Sequence, residues 1–213
     1  NPPAGRGPVS ITTNIPSAHN NGFEVDAVYL LTDGLTVGGN MSYTQSQYDA
    51  RYTFFNQDDP RYPRKILGGD LNQDPCDMEE SIRVLYCIEV DGLDLTGIPK
   101  WKATGWASYK WNMDSGDLTV YGALAFTGEY STNEFNRPWD WVPERERLDL
   151  RATYRANTGK WEASLFIDNV LDKTYIRNSD LDSRLTGYGG NWSNRVIALT
   201  PRYAGISFTY NYR

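Results

Sequence analysis

Histidine occurs once in these 213 residues, at His19, and cysteine only twice, at Cys76 and Cys87. Histidine is the side chain that most readily moves protons at neutral pH, so its scarcity removes the usual routes to hydrolysis. No Ser-His-Asp or Cys-His arrangement is apparent, and no Gly-x-Ser-x-Gly elbow. His19 lies in a Ser- and Asn-rich stretch and reads as a surface residue, and the paired Glu79 and Glu80 read as solvated. No catalytic residue, no metal site and no cofactor are therefore expected. A basic surplus is lacking too: the net charge of -6 makes nucleic acid an unsuitable partner. No apolar run approaches the roughly 18 residues of a membrane-crossing helix. The mean hydropathy, -0.59, points the same way. It does not count against a membrane β-barrel, whose strands turn half their residues to a polar interior. No signal-peptide pattern opens the chain, and its first residue is Asn1 rather than Met, so a processed chain or a fragment is expected.

Aromatic residues are plentiful instead, with 7 Trp and 15 Tyr, and they sit in alternating patterns. Along Arg202 to Arg213, Ala204, Ile206, Phe208, Tyr210 and Tyr212 share one parity, and Tyr203, Gly205, Ser207, Thr209, Asn211 and Arg213 share the other. Strict alternation marks a strand, because successive side chains point to opposite faces. Six more segments read the same way. Their apolar faces carry Phe23 to Leu31, Leu35 to Tyr43, Trp101 to Trp111, Leu118 to Phe126 (with Tyr130), Leu148 to Tyr154, and Trp161 to Ile167, each taken at every second position. Such strands are long enough for a tilted bilayer crossing, which takes about ten residues, whereas strands of soluble domains run nearer five or six.

The connections alternate between short and long. Thr32-Asp33-Gly34, Asn112 to Gly116 and Asn157-Thr158-Gly159 are tight turns. The stretches 51–97, 131–144 and 173–200 are long loops, unusual in a compact domain unless functional. A small hairpin arm is expected over Ile82 to Val90, a short strand over Val9 to Asn14, and loop over the rest of residues 1–20. Tight turns at one end and large loops at the other suit an outer-membrane barrel. So do aromatics gathered at strand ends, as interfacial girdles: Tyr43, Trp101, Tyr109, Trp111, Tyr130, Tyr154, Trp161, Tyr210 and Tyr212. The rival readings are a passive porin, a surface enzyme, and a soluble β-sandwich of the carbohydrate-binding kind.

Cys76 and Cys87 flank a Pro- and acid-rich stretch with no His or further Cys nearby, which suggests a local disulfide and an oxidising compartment. Asp70-Leu71-Asn72-Gln73-Asp74 is similar to the start of a calcium loop. Pro75 stands where that loop needs Gly and Ser81 where it needs Glu, so the stretch to Asp77 reads as solvated acid.

Three segments carry a family resemblance. Gly22-Phe23-Glu24-Val25-Asp26-Ala27, followed by Leu31-Thr32-Asp33-Gly34-Leu35-Thr36, resembles a late barrel hairpin of TonB-dependent outer-membrane receptors. Asp168-Asn169-Val170-Leu171-Asp172-Lys173-Thr174-Tyr175 resembles that family's Asn-Leu-Phe-Asp-Lys-x-Tyr stretch, and Pro201-Arg202-Tyr203-Ala204-Gly205-Ile206-Ser207 its closing strand. The resemblance spans about 20–50 and 98–213, in the family's order. It implies an all-β antiparallel transmembrane barrel of about 22 strands. This chain would supply the last seven, over residues 21–213, with neither plug nor energy-coupling box. It also implies a bacterial outer-membrane location, with the tight turns in the periplasm and the long loops outside. The implied partners are outer-membrane lipid, the rest of the same receptor, a TonB-type coupling protein reached through the absent N-terminal part, and a scarce small-molecule ligand: a siderophore-iron complex, cobalamin, another metal chelate or a glycan. The family's last strand ends in an aromatic read by the assembly machinery. After Arg213 the next position would face lipid, so an aromatic is expected there, with Ile206, Phe208, Tyr210 and Tyr212 forming the assembly strand.

Candidate ligand contacts are the loop aromatics Phe54, Phe55, Phe135, Trp139, Trp141, Tyr188 and Trp192, because clustered exposed rings mark binding surfaces. The more ordinary reading of these rings is that they pack the loops on each other or sit at the outer girdle. Interior charges (Lys100, Lys102, Arg147, Asp149, Arg151, Arg155, Glu162 and Asp168) read as cross-strand pairs and plug contacts.

Overall fold

A computed structural model describes residues 14–55, Cys76, 87–181 and 194–212; for 54–55, 177–181 and 194–196 it describes the backbone alone. These residues form strands and loops with no α-helix. The seven long strands are β1 (Ala18–Leu30), β2 (Leu35–Tyr48), β5 (Trp101–Met113), β6 (Gly116–Thr127), β9 (Arg145–Ala156), β10 (Trp161–Asp168) and β13 (Tyr203–Tyr210). They pair antiparallel in chain order, β1-β2-β5-β6-β9-β10-β13, so each neighbour in sequence is a neighbour in space. The long connections hold three small hairpins: β3 (Thr53–Phe55) with β4 (Cys87–Glu89), β7 (Tyr130–Ser131) with β8 (Trp141–Val142), and β11 (Ile176–Leu181) with β12 (Asn194–Ala198).

The register joins the apolar parities of all seven strands into one face. Ala27 lies opposite Gly39, Gly39 opposite Gly105, Gly105 opposite Leu124, and Leu124 opposite Leu148. Farther along, Leu150 lies opposite Ile167, which lies opposite Ala204. A slip of one residue at any pairing would turn one strand's polar set outward. Aromatic clusters close the face at both ends. Phe23, Tyr43 and Trp101 pack at centroid distances of 4.7–6.0 Å near the long loops. Tyr109 and Trp111 (4.2 Å), and Tyr154 and Trp161 (5.1 Å), pack near the tight turns. Trp101 and Trp111 are ten positions apart on β5. At about 3.3 Å per residue and a tilt of about 40°, that separates the belts by about 25 Å, the height of a lipid-facing band.

Among the described residues nothing covers that face. Ile206 is 78% exposed, Phe208 65% and Leu165 58%. In a soluble sandwich a second sheet would pack about 10 Å away and bury them; among the described residues no layer does so. Among the described residues the buried hydrophobic ones are Ala50, Val90, Val142 and Ala156. Three of these four lie among the long loops. Among the described residues the sheet lacks the core that a soluble sandwich would place beneath it.

The tight turns follow local chemistry. The Thr32 hydroxyl accepts the Leu35 amide at 3.1 Å, and Gly34 leaves room where a Cβ would sit 2.7 Å from the Lys110 carbonyl oxygen. Gly159 takes φ +65°, and Asn157 Nδ2 donates to the Asp114 carbonyl.

Several boundaries differ from the sequence reading. β1 begins at Ala18, so His19 and Asn20 belong to a strand and not to a loop; they pair with Gln47 and Ser46, and the Ser46 hydroxyl donates to Asn20 at 3.0 Å. Those positions lie beyond the apolar band, where alternation gives no signal. Tyr130 leaves the outer face because β6 ends at Thr127, and it starts β7. Of the expected arm over 82–90, Cys87–Glu89 forms a strand and pairs with Thr53–Phe55 of the same connection; 82–86 lie outside the described residues. The third loop contains the hairpin β11–β12, hidden because neither Ile-Arg-Asn-Ser-Asp-Leu nor Asn-Arg-Val-Ile-Ala alternates apolar with polar. Asn14 is not in a strand, and Val9 to Thr13 lie outside the described residues.

Candidate functional site

The long-loop end of the sheet, here called the mouth, is built around a small core of its own. Val90 and Val142 are fully buried, and so are Ser131 and Asp140, at 1% and 0% exposure. Arg137 is buried too. Its Nε and Nη2 donate to the Asp140 carboxylate at 2.7 and 3.0 Å, and its backbone amide donates to the same group at 3.0 Å. Its guanidinium lies 5.1 Å from the Phe135 ring and 5.4 Å from the Trp139 ring. A buried guanidinium needs such a bidentate partner to offset desolvation. The Asp140 carbonyl takes the Thr132 amide at 2.8 Å, closing the loop on itself.

Asn136 ties this second loop to the base of the first. It sits at φ +47°, a conformation that Asn tolerates better than most residues. Its side chain accepts the Asp94 amide at 2.8 Å and donates to the Asp94 carbonyl at 3.0 Å. The Gly97 amide adds a bond to the Ser131 carbonyl at 2.8 Å, and Lys100 pairs with the Asp94 carboxylate at 3.0 Å. Cys76 and Cys87 are joined, with Cα atoms 5.7 Å apart, as expected; since Cys87 lies in β4, the bond fastens residue 76 to the mouth's base.

The Asp168–Tyr175 segment acquires a physical reason. Asn169 and Asp172 both take φ +53°, which suits short polar side chains. The Asn169 amide donates to Asp149 at 2.9 Å and its side chain to the Lys173 carbonyl at 3.0 Å. On the outer rim, Lys173 pairs with Glu146 at 3.2 Å and Arg202 with Asp172 at 3.1 Å. The hydrogen bond that Lys173 donates to the Glu146 carboxylate holds its ammonium above its usual pKa.

The seven candidate aromatics separate. Phe135 and Trp139 flank Arg137, and Trp141 Nε1 donates to the Asn136 carbonyl at 3.2 Å. Phe54 and Phe55 lie in β3, opposite Ile88 and Cys87. Tyr188 and Trp192 lie outside the described residues, as do Asp70 to Pro75 of the acidic stretch. Ile206, Phe208 and Tyr210 are on the outer face of β13, and Tyr212 follows the strand. Among the described residues no three His, Cys, Asp or Glu side chains are placed to hold a metal. His19 bonds Asp49 at 2.7 Å.

On the inner face, Arg147 reaches Asp149 at 2.8 Å and Asp168 at 3.6 Å, while Arg155 pairs with Glu162 at 2.7 Å. Sequence reasoning missed the Arg137–Asp140 pair, although the compact Asn136-Arg137-Pro138-Trp139-Asp140 turn, with Arg and Asp three apart around a proline, was a usable signal.

Residues 1–170 match the family described as TonB dependent receptor-like, beta-barrel. Solved structures share the fold. The ferric yersiniabactin uptake receptor FyuA of Yersinia pestis matches with a TM-score of 0.61 at 14% identity over 90% of this chain and 23% of its own. The siderophore receptor PiuA of Acinetobacter baumannii matches at 0.58 and 18% identity, over 90% and 21%. BauA, the ferric preacinetobactin receptor of the same species, matches at 0.56 and 16%, over 91% and 22%. This chain thus spans about a fifth of the length of those receptors. A comparison with curated protein sequences found no match.

Proposed function

This chain belongs to the TonB-dependent receptor β-barrel family, and from that premise we propose that it forms wall and mouth of an outer-membrane receptor importing a scarce chelate, a ferric siderophore by class. The family is one of receptors, not of enzymes. The observation that carries the reading is the uncovered apolar face, bounded by two aromatic belts, on a sheet whose long connections all lie at one end. Lipid satisfies no backbone groups, so a sheet can sit in it only as part of a closed barrel.

In this reading the face outside β13 meets lipid and the mouth meets the ligand. Residues 21–213 are wall, and 51–97, 131–144 and 173–200 are outward loops. Phe54, Phe55, Phe135, Trp139, Trp141, Tyr188 and Trp192 are the proposed ligand contacts, with Phe135 and Trp139 also bracing their loop through Arg137. A plug, a coupling protein and upstream strands complete the machine. The ferric-siderophore class is favoured over cobalamin or glycan by the names the three structural relatives carry.

The test is uptake. The full receptor gene is deleted, and cells starved of iron are given radiolabelled ferric chelates one at a time. Loss of uptake of one chelate, restored by the gene and abolished by a protonophore, is the expected result. Protonophore-insensitive uptake would instead mean a passive porin, and unchanged uptake of every chelate would end the iron reading.

A further inference from the structure

One arginine of the inner face is held by a ring. On β9 the inward positions include Arg145, Arg147, Asp149, Arg151 and Arg155, and of the arginines Arg147 and Arg155 have carboxylate partners. Arg151 has none among the described residues. Its guanidinium lies over the Phe166 ring, 5.6 Å from the centroid. Phe166 is itself laid flat on the wall at Gly205, where any Cβ would collide with the ring. Tyr203 braces the same ring edge-on at 5.9 Å. The arginine is thus held by stacking, which fixes its plane and leaves its N–H edge uncommitted.

Beside it is an open hollow lined by Tyr121, Asp149, Arg151 and Asp168, with Leu150 behind. The two carboxylates there are already engaged. Arg147 lies 2.8 Å from Asp149 and 3.6 Å from Asp168, and the Asn169 amide donates to Asp149 at 2.9 Å. The neighbouring inward positions on β6, Ala123 and Ala125, carry no charge and little bulk. Tyr121 stacks beside Trp106 at 6.2 Å, so a ring bordering the arginine continues the aromatic surface across β5 and β6.

We propose that Arg151 is a preorganised docking point for a planar oxyanion, a carboxylate or phenolate on an aryl ring, with the guanidinium as the bidentate donor and the flanking rings as the stacking surface. This rests on the proposed importing receptor, past whose inner wall the ligand travels below the mouth, and names the chemistry of that ligand.

The experiment uses the intact receptor in detergent, with salicylate as probe and neutral salicylamide as control, read by calorimetry. Saturable salicylate binding, absent for salicylamide, is expected in the wild type. Arg151→Gln is expected to weaken it at least tenfold and Arg151→Lys by less, with heat-modifiable gel migration of both variants showing an intact barrel. No saturable binding by wild type, or equal binding by Arg151→Gln, overturns the proposal; an Arg151 engaged by another part of the receptor would give the first of these. Failed chelate uptake alongside intact salicylate binding would overturn the import reading alone.

Discussion

The sheet and the mouth obey opposite burial rules within one chain. On the sheet, Leu165, Ile206 and Phe208 are apolar and exposed, while the polar Ser164 on the inner side is 9% exposed. In the mouth, Val90 and Val142 are buried, and so is the charged pair Arg137–Asp140. The sheet is ordered by its backbone ladder and, in the proposed receptor, relies on surrounding hydrocarbon for its apolar side. The mouth is ordered like a miniature soluble domain, with a core, buried polar groups and cross-loop hydrogen bonds. The two regions should therefore respond differently to the same kind of change.

The largest effect is expected from Asp140→Ala. It leaves the Arg137 guanidinium buried without its carboxylate, a loss of about 3–5 kcal/mol in local stability. Limited proteolysis of the full receptor should show rapid cleavage in the 131–144 loop while the barrel keeps its heat-modifiable migration. Collapse of the barrel as well would erase the distinction between the regions. Next comes Leu165→Arg on the outer face, expected to cost about 2–4 kcal/mol near mid-membrane. Ser207→Arg, on the inner face of the adjoining β13, should cost much less. Denaturant unfolding in lipid vesicles compares the two, and equal losses would deny that only one face meets lipid.

Asn136→Ala removes two bonds to Asp94 and places a non-glycine residue at φ +47°, a loss of about 1–3 kcal/mol. Hydrogen exchange should show faster exchange of the Asp94 and Gly97 amides with the strand amides unchanged. The smallest effect belongs to Lys173→Ala on the exposed rim. Its pair with Glu146 is open to water, so no measurable change in unfolding midpoint is expected.

How much was legible differs between the same two regions. The seven long strands and their faces were readable because period-two alternation persists wherever one side meets lipid, as in Leu118, Val120, Gly122 and Leu124 on β6. The readable signal stopped where lipid stops. β1 and β2 continue as His19, Asn20, Gln45 and Gln47, all polar, and only hydrogen bonding shows that they are paired. In the mouth the disulfide was legible from isolation of its two cysteines. The ring-flanked Arg137 was not, since nothing in Phe135 or Trp139 distinguishes a ring that binds a ligand from one that braces a neighbour. Nor was Arg151, whose distinction is the lack of a carboxylate partner across strands.

By itself, then, the sequence determined which side of each strand is apolar and where the chain turns tightly, because both are set by residues a few positions apart. The tertiary structure alone decided that Asp94 meets Asn136, that Cys87–Glu89 pairs with Thr53–Phe55, and that Arg151 rests on Phe166 over Gly205. Those meetings depend on distant segments being brought together by strand register, and no local pattern of side chains records who stands across the sheet.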